Sequence, residues 1–189
     1  MTRDDHTLLI AMRRGDQTAA VALWERHGAR LVAYAATVVG RGEAEDAVQE
    51  ALVRAIGAAH AQVVGVRDVP AWLLTLVRHT AINRVRGRRR RRGREAAVAR
   101  VGVCFAVRER DDVAARVAAL PRRLREVVVL RHVCGLTFAQ CAVALGANPN
   151  TVAGRYREAM GQLRGLMERQ ESVENERTPR GVEVAHGYS

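Results

Sequence analysis

Lysine is absent from the 189-residue chain, so all 31 basic residues are arginine. Cysteine occurs only three times, as Cys104, Cys134 and Cys141, too few and too unevenly spaced for a disulfide framework. No apolar run reaches the ~20 residues that cross a bilayer as a helix, so membrane insertion of that kind is not expected. The opening Met1-Thr-Arg-Asp-Asp lacks the apolar stretch of a secretory signal, and a cytoplasmic location is expected. Nothing alternates polar with apolar at period two over strand length, which argues against a β-fold. What is present is 48 % hydrophobic content in a length sufficient for one ordinary domain or two small helical ones.

The arginine is unevenly distributed. Residues 1–70 carry 8 Arg against 9 acids, 71–110 carry 12 against 2, 111–167 carry 8 against 4, and 168–189 carry 3 against 5. The net +11 therefore divides as −1, +10, +4 and −2. Such concentration points to a polyanion partner for the second and third segments. The competing readings are a solvated charge run and the composition bias of a GC-rich genome.

Helical periodicity runs through most of the chain, and the expected fold class is all-α: two small helical domains joined by a basic linker. Ala20, Leu23, Trp24, His27, Leu31, Ala35 and Val38 recur at three- and four-residue steps over a helix from about Gln17 to Val38. Gly40-Arg41-Gly42 ends it, and a second helix starts near Glu43 and reaches about Ala59, with Glu45 and Asp46 in its first turn. After a loop holding Gly65, Asp68-Val69-Pro70 caps a third helix that continues through the arginines. Periodicity is weak from Gly87 to about Asp112. The domains are placed at 5–92 and 113–168, with a linker at 93–112 and a disordered polar tail at 169–189. Within the second domain, Leu120-Pro121 begins a helix to about Val133, stopped by Cys134-Gly135. Thr137-Phe-Ala-Gln140 reads as a capping box for a short helix closed by Gly146. Asn148-Pro149 then starts a helix to roughly Met167.

A short helix, a glycine turn and a longer helix have the spacing of a helix-turn-helix unit, although plain helical hairpins share it. Val152, Tyr156, Ala159 and Leu163 form the inward stripe of the longer helix. Thr151, Gly154, Arg157 and Glu158 lie opposite, flanked by Ala153 and Arg155, and offer groups suited to base edges and phosphates. In the helix after Pro70, Trp72, Leu73, Leu76, Val77, Ala81 and Val85 cover an apolar arc. Thr75, Arg78, His79, Asn83 and Arg86 line the other side, which runs on into Arg88–Arg92 and Arg94 and can track a phosphate backbone. Trp72 is a stacking platform only if it leaves that arc, and core packing is its ordinary role. Asp46, Gln49, Glu50 and Val53 share one sector of their helix, a docking face for a basic partner or an ordinary solvated face. No nucleophile or phosphate-cradling loop accompanies these carboxylates, so no catalytic residue and no cofactor are assigned. His132, Cys134 and Cys141 match no zinc spacing, so no metal is assigned either.

Three stretches, taken in order, resemble the extracytoplasmic-function sigma factors of the sigma-70 family. Ala44-Glu-Asp-Ala-Val-Gln-Glu-Ala-Leu-Val-Arg-Ala55 is similar to the family segment that docks on the clamp coiled coil of the polymerase beta-prime subunit. Ala71-Trp-Leu-Leu-Thr-Leu-Val-Arg-His-Thr-Ala-Ile-Asn-Arg-Val-Arg86 resembles the helix that meets the melted minus-ten element. Leu120-Pro121 through Thr137-Phe138, with Leu145-Gly146 and Asn150-Thr151-Val152, resembles the domain that reads the minus-thirty-five element. The resemblance implies bacterial core RNA polymerase, through its clamp coiled coil and beta flap, and promoter DNA as partners, with an anti-sigma factor as a further one. It assigns Asp46, Gln49, Glu50 and Val53 to polymerase; Thr75, Arg78, His79, Asn83 and Arg86 to the minus-ten element; and Thr151, Ala153, Gly154, Arg155, Arg157 and Glu158 to the minus-thirty-five element. His79 stands where asparagine is common, Asn83 where aspartate is usual, and Ala153-Gly154-Arg155 where a Lys-Ser-Arg-like run is typical. The rivals are a free-standing helix-turn-helix regulator, which needs no polymerase-facing carboxylates, and an RNA-binding or metal-responsive helical protein.

Overall fold

The structure, a computed structural model, describes residues 4–58, 63–92 and 112–177. Among these residues every regular element is helical, as the absence of period-two patterning requires. Helix α1, Asp5–Arg13, begins where the Asp4 carboxylate accepts the Thr7 amide at 2.8 Å. Asp16 caps α2, Gln17–Val39, in the same way through Ala19. Both are ordinary carboxylate N-caps. Leu23, His27, Leu31, Ala35 and Val38 of α2 are buried, whereas Trp24 from the same stripe is half exposed. Its ring lies over Gly28, where an added Cβ would come within 2.8 Å of the indole. Asp5 ties α1 to α2, accepting from Arg26 Nη1 and His27 Nε2 at 2.8 Å each.

Gly40, at φ 90°, ends α2, and a 3₁₀ turn at Arg41–Glu43 leads into α3, Ala44–Gly57. Ala44, Ala47, Val48, Ala51 and Ala55 pack inward. The Arg13 guanidinium donates to the carbonyls of Ile56 and Ala58 at the α3 C-terminus, where the backbone leaves acceptors unpaired. Helix α4, Val69–Arg92, is capped by Asp68, which accepts the Ala71 amide at 2.9 Å, and Pro70 sits in its first turn. It passes through Gly87, where periodicity fades, because Arg88 anchors it by donating to Glu43 and to the Val39 carbonyl. Helices α1 to α4 pack on one another as one bundle. The segment read as the linker lies outside the described residues, apart from Asp112, where the next helix begins.

The second bundle comprises α5 (Asp112–Ala119), α6 (Arg122–His132), α7 (Phe138–Leu145) and α8 (Pro149–Arg177). Leu124, Val127, Val129 and Leu130 of α6 are fully buried. Each contributes about 1.5–3 kcal/mol, more than a surface ion pair. Gly135 turns the chain at φ 71°, and Thr137 with Gln140 forms a complete capping box at the start of α7. Gly146 ends α7 in the left-handed conformation, at φ 59°. The final helix runs on to Arg177 rather than ending near Met167, so residues 169–177, read as tail, are helical. Residues 168–177 lack an apolar stripe, yet they also lack glycine and proline and are rich in helix-favouring Glu, Arg and Gln. The two bundles touch where α4 meets α7 and α2 meets α6.

Candidate nucleic-acid interface and docking face

On α3, the inward alanines and Val48 leave Asp46, Gln49 and Val53 fully outward, with Glu50 half buried beside them. Val53 is 67 % exposed, and Ile56 one turn on is exposed as well. The face thus combines carboxylates with unpartnered apolar surface, the composition of a docking patch. It is partly neutralised from within. Arg84 of α4 places Nε 3.0 Å from Glu50 Oε2 and Nη1 3.8 Å from Asp46 Oδ2, and Arg54 pairs with Glu50 at 2.8 Å. Sequence reasoning missed Arg84. Its signal was its position, on the Val77–Ala81 stripe that turns toward the acidic helix.

The minus-ten candidates on α4 divide into two groups. His79, Asn83 and Arg86 are exposed and lie within two turns, available to an unstacked strand. Thr75 and Arg78 are half buried. The Thr75 hydroxyl donates back to the Ala71 carbonyl at 2.9 Å, and Arg78 Nε lies 3.7 Å from Glu126 Oε2 on α6. Trp72 packs against the core, as its place on the apolar arc predicts. Arg89 and Arg90 extend the exposed positive surface beyond the Arg88 anchor.

In the helix-turn-helix, Val152 and Ala159 are buried, while Tyr156 packs edge-on to Phe138 with ring centroids 5.3 Å apart and shares a 2.9 Å hydrogen bond with His132. The Arg131 guanidinium caps the same aromatic cluster, 5.3 Å from the Phe138 centroid. This fixes α8 against α6 and α7. Thr151, Arg157 and Glu158 face outward, and Ala153, Gly154 and Arg155 are half exposed. Glu158 accepts from Arg123 at 3.1 Å, so its carboxylate is already partnered across to α6. A Cβ added at Gly154 meets nothing within 4 Å, which leaves open space above the helix there.

Cys134 and Cys141 take no part in this surface. The Cys134 thiol donates to the Arg30 carbonyl at 3.7 Å and the Cys141 thiol to the Leu136 carbonyl at 4.0 Å. Burial pushes them up to about 12 and about 11, which keeps both protonated. With His132 turned to Tyr156, these side chains do not converge on a common point, and no group of metal-ligating residues occurs among the described ones. No described helix is long and apolar enough to cross a membrane.

Comparison with known proteins matches both bundles to one family. The model of sigma-70 region 2 matches residues 23–91, and that of sigma-70 region 4 matches residues 110–163. The ECF RNA polymerase sigma factor SigL of Mycobacterium tuberculosis is 32 % identical, over 76 % of this chain and 85 % of its own. The ECF RNA polymerase sigma factor SigK of Mycolicibacterium vanbaalenii is 27 % identical, over 87 % and 89 %. Among solved structures, CnrH in complex with the cytosolic domain of CnrY matches with TM-score 0.63 and 25 % identity, covering 87 % of this chain and 97 % of CnrH. RpoE of Bartonella quintana, solved with the anti-sigma factor NepR, matches with TM-score 0.53 and 25 % identity, over 73 % and 89 %. A free-standing helix-turn-helix regulator does not account for the match that spans α2 to α4. With both promoter-binding regions present in order and relatives matching along most of their length, the chain belongs to the extracytoplasmic-function sigma factors of the sigma-70 family.

Proposed function

We propose a division of labour along this sigma factor. As a member of its family the chain directs core RNA polymerase to promoter DNA and supports initiation of transcription. Within that function, the domain at 5–92 holds polymerase through Asp46, Gln49, Glu50 and Val53 and meets the opened minus-ten strand through Thr75, Arg78, His79, Asn83 and Arg86. The domain at 113–168 grips the minus-thirty-five duplex with Thr151, Arg155 and Arg157, while Ala153 and Gly154 allow close approach of the backbone. Glu158, held by Arg123, shapes the edge of that surface. The protein works by recruitment in the cytoplasm and carries out no covalent step of its own. An anti-sigma factor is the expected antagonist, since RpoE is solved in complex with the anti-sigma factor NepR.

One observation carries this reading: the carboxylate face of α3 and the exposed stripe of α4 belong to two helices packed directly on each other. Polymerase and strand are thus held by one rigid unit. The test is in-vitro transcription with core polymerase on genomic fragments, with start sites mapped. Asp46→Ala combined with Glu50→Ala is expected to weaken core binding without changing promoter choice. Arg157→Ala is expected to lower duplex affinity and to reduce the slope of log affinity against log salt by about 0.9, the value of one phosphate contact. Unchanged core binding by the carboxylate double variant defeats the assignment of α3.

A further inference from the structure

We propose that Asn150, to which the resemblance assigns no contact, selects an adenine in the duplex, with Gly154 as the seat that lets it reach the base; the inference rests on reading α8 as the minus-thirty-five helix. Helical geometry places the two residues together. Each residue turns the helix by about 100°, so Asn150, Gly154 and Arg157, at steps of four and three, share one line along α8. That line runs opposite the buried Val152 and Ala159. Asn150 and Arg157 are exposed along it, and Gly154 lies half exposed between them. The packing of Tyr156 on Phe138 and its hydrogen bond with His132 fix the roll of the helix, so the line is presented in one direction.

Asn150 is not spent on the helix itself. Asn148 supplies the cap, its Oδ1 accepting the Asn150 amide at 2.9 Å and its carbonyl accepting the Val152 amide at 3.1 Å. Asparagine inside a helix contributes less than Ala, Glu or Gln would at the same position. Its carboxamide, however, carries an acceptor and a donor side by side. Adenine shows the complement in the major groove, the N6 amine beside the N7 acceptor. Guanine shows two acceptors there, so half of the carboxamide would face a like group. The first turn of the second helix in a helix-turn-helix is the part that meets base edges, and Asn150 lies in it.

Gly154 answers the shortness of that side chain. Glycine in the interior of a helix is destabilising, and here it relieves no crowding, since an added Cβ would meet nothing within 4 Å. Its effect is to leave the helix bare one turn beyond Asn150, so the backbone can come close enough to the bases for a carboxamide on one methylene to bridge the gap. Arg157, one turn further, is long enough to hold a phosphate beside it. Glu158, whose carboxylate would otherwise accept from a cytosine amine, is held by Arg123 at 3.1 Å. The centre of the reading face is thereby left to one carboxamide.

The probe is a duplex carrying the minus-thirty-five element of a promoter whose start site has been mapped with the wild-type holoenzyme. Each adenine of the element, on either strand, is replaced singly by 7-deazaadenine, which removes the N7 acceptor and keeps Watson–Crick pairing. Binding by the full chain in complex with core polymerase is expected to fall roughly five- to tenfold at one adenine and little at the others. Asn150→Ala is expected to bind the unmodified duplex roughly tenfold more weakly and to lose the 7-deazaadenine penalty. Its salt slope is expected to match that of wild type, because no phosphate contact is removed. Gly154→Ala is expected to bind severalfold more weakly although the added methyl group favours the helix, a combination that a purely structural glycine would not produce. An element without adenine, a duplex that tolerates every 7-deazaadenine, or a penalty that persists in Asn150→Ala overturns the adenine readout. Gly154→Ala that binds as tightly as wild type overturns the seat. Where Arg157→Ala still lowers the salt slope in those cases, the minus-thirty-five reading of α8 stands; where it too leaves duplex binding unchanged, that reading fails as well.

Discussion

Arg84 on α4 bonds Glu50 on α3, Nε to Oε2 at 3.0 Å. The pair is partly exposed, and Arg84 also lies 3.8 Å from Asp46, so one guanidinium offsets two carboxylates that the proposed function assigns to polymerase. Docking of a basic partner surface must compete with this internal cation.

Removing that cation separates its electrostatic role from its structural one. Arg84→Ala is expected to cost less than about 1 kcal/mol of stability, the range of exposed ion pairs. It is also expected to raise the association rate with core polymerase a few-fold at low salt, because the acidic face loses one of its two internal cations, Arg54 remaining on Glu50. Stopped-flow association across a salt series checks this. A rate that falls, or one that rises equally at every ionic strength, contradicts the internal-competitor role.

Asp5 makes the attachment of α1 sensitive to acid. Burial disfavours its ionised form, but the hydrogen bond from Arg26 and the bond and charge of His27 outweigh that, and its pKa is lowered in the fold. A depressed carboxylate contributes stability that is present above its unfolded pKa of about 3.9 and lost as pH falls through the lower folded value. Thermal unfolding of the wild type and Asp5→Asn is expected to differ at pH 6 and to converge as the pH falls through the lowered folded value. A gap that persists undiminished in acid rules out the ion-pair origin.

Gly154 sits inside α8 with open space above it. Gly154→Ala is expected to stabilise the helix by about 0.5–1 kcal/mol through backbone entropy, with no contact to disturb. Urea unfolding monitored on the second bundle measures it. A loss of stability shows that a neighbour meets the added methyl group.

Much of this architecture was legible because capping and periodicity are local. Asp68, the Thr137–Gln140 box and Gly146 perform in the structure the roles that their side chains and backbone freedom imply. The length of α8 was not legible from stripe analysis, since a polar helix loses its apolar signal without losing its propensity. The pairings of Arg84 with Glu50 and of Arg78 with Glu126 were hidden for another reason. A helical wheel gives the direction of a side chain but not the helix it will face, and both pairs join residues far apart in the chain. Glu126 itself was a clue: a lone acid in the Leu124–Leu130 run asks for a cation from elsewhere.

The Arg88 anchor acts as a surveyor's peg. By gripping Glu43 and the Val39 carbonyl at the corner between α2 and α3, it prevents the basic end of α4 from fraying back toward Arg84. Helical rise then fixes the offset from Arg84 to Arg89 at about 7.5 Å. Whatever negative ligand meets Arg89 and Arg90 is therefore registered against whatever positive surface meets Glu50, so the spacing between two macromolecular partners is written into one helix.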